Sequence, residues 1–348
     1  MSDATKVNPE SLPAWWIYRG TGEYNLDNAL SPRVSAQLQA HDTPPWRRFD
    51  REAARRRGAK FQPEPYEVER VNAALLLRRP LLVTGLPGTG KTSLTYAVAH
   101  ELGLEPVLRW SITSRTTLKD GLYDYDAIAR LQDTPQAGAN PGEKPPIGNY
   151  IKLGPLGTAF LGFKHEEQYY PRVLLIDEID KSDIDLPNDL LHIFEEGEFE
   201  IPELKRHPEP VHAVAPWDGG PKVELHEGKV HCRAFPLVVM TSNGEREFPP
   251  PFLRRCLQLE MRPPGPDKLR RIVEAHLEPG AAYQDKIEAL LGLFLQHQKD
   301  KGKYLATDQL LNAIFLVLKD IDPLQGVKPL EDKQALIEAL WKSLSVET

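Results

Sequence analysis

The sequence is short of cysteine, of long apolar runs and of positive charge. Its 348 residues include only two cysteines, Cys232 and Cys256, which excludes a disulfide-built scaffold. No uninterrupted apolar run approaches the ~20 residues that a membrane-spanning helix needs. The first 13 residues hold no apolar signal core. These absences predict a soluble cytoplasmic protein with no membrane association. Lysine plus arginine number 43 against 50 aspartate plus glutamate, a net charge of −7. A dedicated duplex-DNA binder carries a basic face, so nucleic acid is a disfavoured partner. No repeat of fixed period and no low-complexity tract occurs.

What is present suits a globular chain. Hydrophobic residues make up 41%, enough for a buried core, and the length predicts about two domains. Proline is in excess, with 32 residues, and clusters in long loops. Residues 1–60 form an N-terminal arm with Trp15, Trp16, Trp46 and six arginines between Arg47 and Arg57. Interleaved Trp and Arg suit single-stranded nucleic acid. The acidic whole favours the other reading, an arm on a globular domain with its arginines solvated or paired.

From residue 61 to 263 the pattern is α/β. Apolar runs at 81–84, 106–112, 173–176, 235–240 and 257–261 read as strands. Helical spacing appears at 66–77 and 92–102. Such alternation predicts a parallel sheet flanked by helices. Insert loops interrupt it at about 116–150 and 202–222. Segments 198–201 and 223–230 are expected to pair as a hairpin. Beyond Pro263-Pro264-Gly265-Pro266, the segments 267–277, 281–299, 307–318 and 331–344 read as amphipathic helices. Residues 264–348 are therefore an all-helical lid domain.

Gly85-Leu86-Pro87-Gly88-Thr89-Gly90-Lys91-Thr92 fits G-x-x-x-x-G-K-[ST] at every fixed position, between a strand and a helix. Its glycines let backbone N–H groups curl around a phosphate, and the helix N-terminus adds a favourable dipole. Gly85, Pro87, Gly88, Thr89, Gly90, Lys91, Thr92 and Ser93 are the predicted nucleotide-binding residues. Lys91 reaches the β- and γ-phosphates, and the Thr92 hydroxyl holds Mg²⁺. Val173-Leu174-Leu175-Ile176-Asp177-Glu178 reads as a Walker B strand. There Asp177 helps hold Mg²⁺ and Glu178 polarises the attacking water. The strand Val238-Val239-Met240-Thr241-Ser242 ends on Asn243. Its amide either orients that water or is a turn residue before Gly244. Arg254 and Arg255 precede the last core strand. They are either a solvated pair or an arginine finger for a neighbour's γ-phosphate.

These four elements in this order, with the helical C-terminal segment, resemble an AAA+ ATPase. The segment from Tyr150 to Leu156 (Tyr-Ile-Lys-Leu-Gly-Pro-Leu), the run Asp177-Glu178-Ile179-Asp180-Lys181 and the pairs Leu190-Leu191 and Glu195-Glu196 resemble the MoxR branch. Residues 15–22 and 110–115 look like a bacterial MoxR-like subgroup found in multi-gene signalling or conflict cassettes. The resemblance implies ATP and Mg as cofactors and hydrolysis of ATP to ADP and phosphate. It implies a homo-oligomeric ring, usually a hexamer, with Arg255, or else Arg254, acting in trans. It makes Asn243 the sensor beside the γ-phosphate. It also implies a chaperone-like remodeller or activator of a protein partner, often one with a von Willebrand A-domain. The loops 116–125 and 202–222 correspond to pore or insert loops.

One departure is plain. The segment from Ala306 to Leu311 lacks the lid arginine that the family often carries, leaving Lys301 or Lys303 as substitutes. That absence motivates a second reading, a slow nucleotide-dependent switch. A DNA-directed motor is a third. His226, His231 and Cys232 are close in sequence but read as alternating strand positions rather than as a metal site. Cys256 reads as a buried core thiol. Tyr123 and Tyr125 read as helical, with packing favoured over a pore contact.

Overall fold

A computed structural model describes residues 43–48, 52–133, 145–300, 305–321 and 335–341. Trp15, Trp16, Arg51, Lys301 and Lys303 lie outside the described residues. So do residues 134–144 of the first insert loop and both ends of the helix expected at 331–344. The described residues divide into two compact units, one of residues 55–263 and one in which those of the N-terminal segment up to 54 join those of 264–348.

The larger unit is built on a five-stranded sheet in the order Leu257–Glu260, Leu81–Thr84, Leu237–Ser242, Val173–Asp177, Leu108–Ser111. Every neighbouring pair is parallel. Strand composition follows from position. Val173–Asp177 and Leu237–Ser242 are interior and buried along their whole length, which is why they read as continuous apolar runs. The edge strand Leu108–Ser111 alternates buried and exposed residues.

The period of two sends side chains to opposite faces. Leu82, Leu174, Ile176, Val238 and Met240 enter one core with Leu156 and Phe160. Leu81, Val83, Val173, Leu237 and Val239 enter the other with Leu94 and Ala99 of the helix Lys91–Glu101. The sheet is thus sandwiched between helices, with helices again following at the C-terminus.

The second insert is more ordered than a loop. Glu198–Glu200, Lys229–His231, Val223–His226 and Val211–Val214 form a four-stranded antiparallel sheet in that order. The expected single strand over 223–230 is broken by a tight turn at Glu227 and Gly228. Both have positive φ, 52° and 67°, as the two central residues of a type I′ hairpin require. The first insert also differs from expectation. A short helix, Leu118–Leu122, stops before the tyrosines, and Tyr123–Tyr125 is a strand paired with Ile151–Leu153. Tyr123 is buried, and its hydroxyl donates to Glu203 at 2.9 Å.

The smaller unit contains the helices Pro266–Leu277, Gln284–Asp300, Thr307–Leu318 and Ala335–Leu340. Its core gathers Leu269, Leu290, Phe294, Leu310, Ile314 and Trp341. Trp46 packs edge-on against Phe315, centroids 5.9 Å apart, so this part of the N-terminal segment joins the helical unit.

Candidate functional site

Parallel strands carry their carboxyl ends to one rim of the sheet, where ligands bind in open α/β folds. Leu81–Thr84 runs directly into Gly85, Val173–Asp177 ends on Asp177, and Leu237–Ser242 runs into Asn243. The sheet therefore brings together three segments that lie 60 or more positions apart.

The loop after Leu81–Thr84 needs its glycines. Gly85, Gly88 and Gly90 all have positive φ, and a Cβ at Gly85 would lie 2.5 Å from the Met261 carbonyl oxygen. Gly90 begins the helix Lys91–Glu101 with no side-chain cap. The first N–H groups of that helix are orphan donors and suit an anion. Thr89 Oγ1 donates to the Leu86 carbonyl at 2.9 Å. Lys91 is 8% exposed, and its Nζ donates back to Gly85 and Leu86 carbonyls at 2.7 and 2.9 Å. Burial pushes the Lys91 ammonium pKa down, while the charges of Asp180, Asp177 and Glu178 oppose that shift.

Asp177 is the hub. Its Oδ1 accepts from the Thr92 hydroxyl at 3.1 Å and from the Thr241 hydroxyl at 2.7 Å. Its Oδ2 accepts from Arg109 at 2.7 Å. Thr241 in turn accepts the Glu178 N–H at 2.9 Å, which holds Glu178 at φ 63°. Lys181 donates to the Glu178 carboxylate at 2.9 Å. A hydroxyl and a carboxylate 3.1 Å apart are two hard oxygen donors, a set that fits Mg²⁺.

Asp180 ties the rim together. It is 5% exposed, and its Oδ2 accepts from the backbone N–H of Asn243 at 2.8 Å and of Glu245 at 3.1 Å. The Asn243 side chain, half-buried, makes no hydrogen bond to a described residue. The sequence reading missed the roles of Arg109, Thr241 and Asp180. Thr241 and Asp180 stand inside motifs it singled out, whereas Arg109 on an edge strand carries no signal of its own.

Arg254 and Arg255 end the helix Pro250–Arg255. The next strand begins at Leu257, which pairs with Leu81, the first residue of its strand. The loop that begins at Gly85 follows the far end of that strand, about 10 Å away at ~3.3 Å per residue. The two arginines therefore stand at the rim opposite their own chain's phosphate-type loop. Arg79 donates to the carbonyls of both, and Arg255 pairs with Glu195. Arg254 is exposed.

In the helical unit, the Ala306 N–H is capped by Gln309 at 2.8 Å. Cys256 is buried, as expected. His231 pairs with Glu198 at 2.8 Å on the insert sheet, and neither it, His226 nor Cys232 belongs to a metal-type cluster among the described residues.

No curated protein matches the chain. A solved structure to which it is similar is a closed-state cryo-EM reconstruction of Hsp104 with ATPγS and FITC-casein. The identity is 17% and the TM-score 0.34, over 65% of this chain. The chain spans 38% of that one. The model of the ATPase family associated with various cellular activities (AAA) matches residues 81–263, from the first strand of the sheet to the end of the larger unit. That match covers more than half the length and every strand that builds the rim, so the chain belongs to the AAA family.

Proposed function

We propose that this chain binds Mg·ATP at the rim formed by Gly85–Ser93, Asp177 and Asn243, and hydrolyses it to drive a ring-forming, MoxR-type remodeller of a protein partner in the cytoplasm. The observation that carries the proposal is the Thr92–Asp177 pair at the foot of an uncapped helix N-terminus. When bound there, Mg²⁺ neutralises charge on the phosphates. The residues do the rest. Backbone N–H groups from Gly88 to Ser93 receive phosphate oxygens. Lys91 leaves its two carbonyl partners and takes a phosphate oxygen instead. Thr92 and Asp177 hold the cation, with Arg109 and Thr241 fixing the carboxylate. Glu178, freed from Lys181, accepts a proton from the attacking water, and the Asn243 amide orients that water.

The opposite-rim position of Arg254 and Arg255 supports action in trans, with Arg255 the first choice of finger. Site completion across an interface calls for a homo-oligomer, and the assembly proposed is a hexameric ring. A von Willebrand A-domain protein is the proposed partner type. The domain division into an arm over 1–60, a nucleotide-binding domain over 61–263 and a helical lid over 264–348 belongs to the same proposal.

The test is ATP turnover per subunit as protein concentration rises, with Arg255→Ala mixed into wild type. Turnover is expected to climb with concentration and to be poisoned by the variant beyond its mole fraction. Flat specific activity, unaffected by mixing, would remove shared sites and with them the ring. A slow switch is favoured by two observations, the Gln309 cap in place of a lid arginine and the Glu178–Lys181 pair. Tight ATP binding with negligible turnover at all concentrations would select it.

A further inference from the structure

Outside the nucleotide rim, one side-chain cluster is unexplained by ATP chemistry. The connection into the strand Val211–Val214 reads His207-Pro208-Glu209-Pro210-Val211-His212. One ring nitrogen of His207, one of His212 and a carboxylate oxygen of Glu209 lie within 4.8 Å of one another. His212 is 3% exposed, and its Nε2 is buried with no hydrogen-bond partner. A buried ring nitrogen left unpaired is costly and needs an explanation in a native fold. The His207 ring makes one long contact, with Glu209 N–H at 3.4 Å from Nδ1. The two rings stand edge to face, centroids 5.1 Å apart.

We propose that His207, Glu209 and His212 form a binding site for one zinc-class divalent cation on the insert sheet. Two imidazoles and one carboxylate are a borderline-to-hard donor set suited to Zn²⁺, and to Co²⁺ as its spectroscopic stand-in. Tetrahedral zinc needs its donors about 3.4 Å apart at the usual bond lengths, so from separations of at most 4.8 Å the three must draw in by up to about 1.4 Å. The structure permits that. His212 is fixed by its strand, opposite Leu225, while His207 is half-buried and Glu209 exposed on the approach. Pro208 and Pro210 restrict the intervening backbone, so little freedom is lost when the donors close. Three protein ligands leave a fourth position for water or for a donor from a partner. The cation would satisfy the His212 ring and staple the segment after the helix Pro202–Lys205 onto the sheet.

The test uses the full chain, stripped with chelator and then held in millimolar Mg·ADP so that oxygen sites prefer magnesium. Zn²⁺ is titrated against a chromophoric chelator, and Co²⁺ is added separately for its visible spectrum. One Zn²⁺ per chain is expected, with the intense visible bands of four-coordinate Co²⁺ and a rise in the thermal midpoint on zinc addition. His207→Ala is expected to weaken zinc about a hundredfold and to abolish the midpoint shift, and Glu209→Gln to weaken it about tenfold. Both variants alter side chains outside the buried core, so folding is preserved. Equal zinc affinity in wild type and both variants overturns the site, as does a Co²⁺ spectrum of purely six-coordinate type. Stripped protein that takes up no zinc likewise overturns it. None of these outcomes touches the ATPase reading, which is measured separately by turnover.

Discussion

At the residue scale, Arg109 sets its guanidinium 2.7 Å from Oδ2 of Asp177, leaving Oδ1 to Thr92 and Thr241. The arginine is half-exposed and the aspartate 8% exposed at its side chain. On the proposed reading, a bound cation would neutralise the same carboxylate that Arg109 pairs with. Arg109→Ala is expected to destabilise the nucleotide-free protein by about 1 kcal/mol, the modest value of a partly solvated pair. In Mg·ADP the loss should shrink, because the cation neutralises Asp177. Thermal melts with and without Mg·ADP decide this, and an equal drop in both would show that Arg109 acts only through packing. The cysteines give a second prediction. Burial pushes the Cys256 thiol up to about 12, with Arg79 pulling the other way. Burial also raises Cys232, which is only half-buried. Thiolate is the reactive form. Alkylation of native protein at pH 8 should therefore label Cys232 before Cys256, as read by peptide mass mapping. Early labelling of Cys256 would mean that the junction between the helix Pro250–Arg255 and the strand Leu257–Glu260 opens readily.

At the scale of elements, the insert sheet depends on one turn. Gly228 has φ 67°, and a Cβ there would sit 2.6 Å from the Lys205 nitrogen and 2.9 Å from the Ile201 carbonyl oxygen. Gly219 has φ 74° with open space around it. Both replacements by alanine incur the left-handed penalty of about 1–2 kcal/mol, but only Gly228→Ala adds a collision with backbone. Gly228→Ala is expected to lower the unfolding midpoint clearly more than Gly219→Ala. Equal effects would show that the sheet relaxes around the added methyl. The same turn shows why sequence alone read 223–230 as one strand. Val223 and Leu225 alternate as in a strand, and Glu227 is an uncommon residue for a positive-φ turn position. The Tyr123–Tyr125 strand was missed for a different reason. Its partner Ile151–Leu153 lies almost 30 residues on, and local helical preference after Asp120 was overridden by that pairing.

For the whole molecule, charge and the arginines of the first segment bear on the DNA-motor reading. The net charge is −7. Arg55 pairs with Glu105 at 2.9 Å, and Arg57 lies 5.1 Å from the centroid of the Tyr96 ring. These side chains are engaged inside the larger unit rather than presented as a basic stripe. Fluorescence anisotropy should therefore find no duplex binding at ~0.15 M salt. Binding that falls steeply with salt, and is lost when Arg47, Arg48 and Arg55 are neutralised, would restore the DNA reading. Among the described residues no helix is long and apolar enough to cross a membrane.

The sequence by itself determined the sheet's interior strands and the phosphate-type loop. Both are written locally, one as continuous apolar runs and the other as glycines, lysine and threonine at fixed spacing. It also determined the helical character of the C-terminal segments, through their periodicity. Only the tertiary structure decided which residues stand beside Asp177, because Arg109 and Thr241 reach it from separate strands of the sheet. It alone decided that Arg254 and Arg255 stand at the rim opposite their own loop, since that follows from the parallel register of Leu257 with Leu81. The His207–Glu209–His212 cluster shows the same division. The spacing is visible in the chain, but the burial of one imidazole without a partner arises only when the insert sheet closes over it. Local pattern fixes what a segment is, and long-range pairing fixes what it meets.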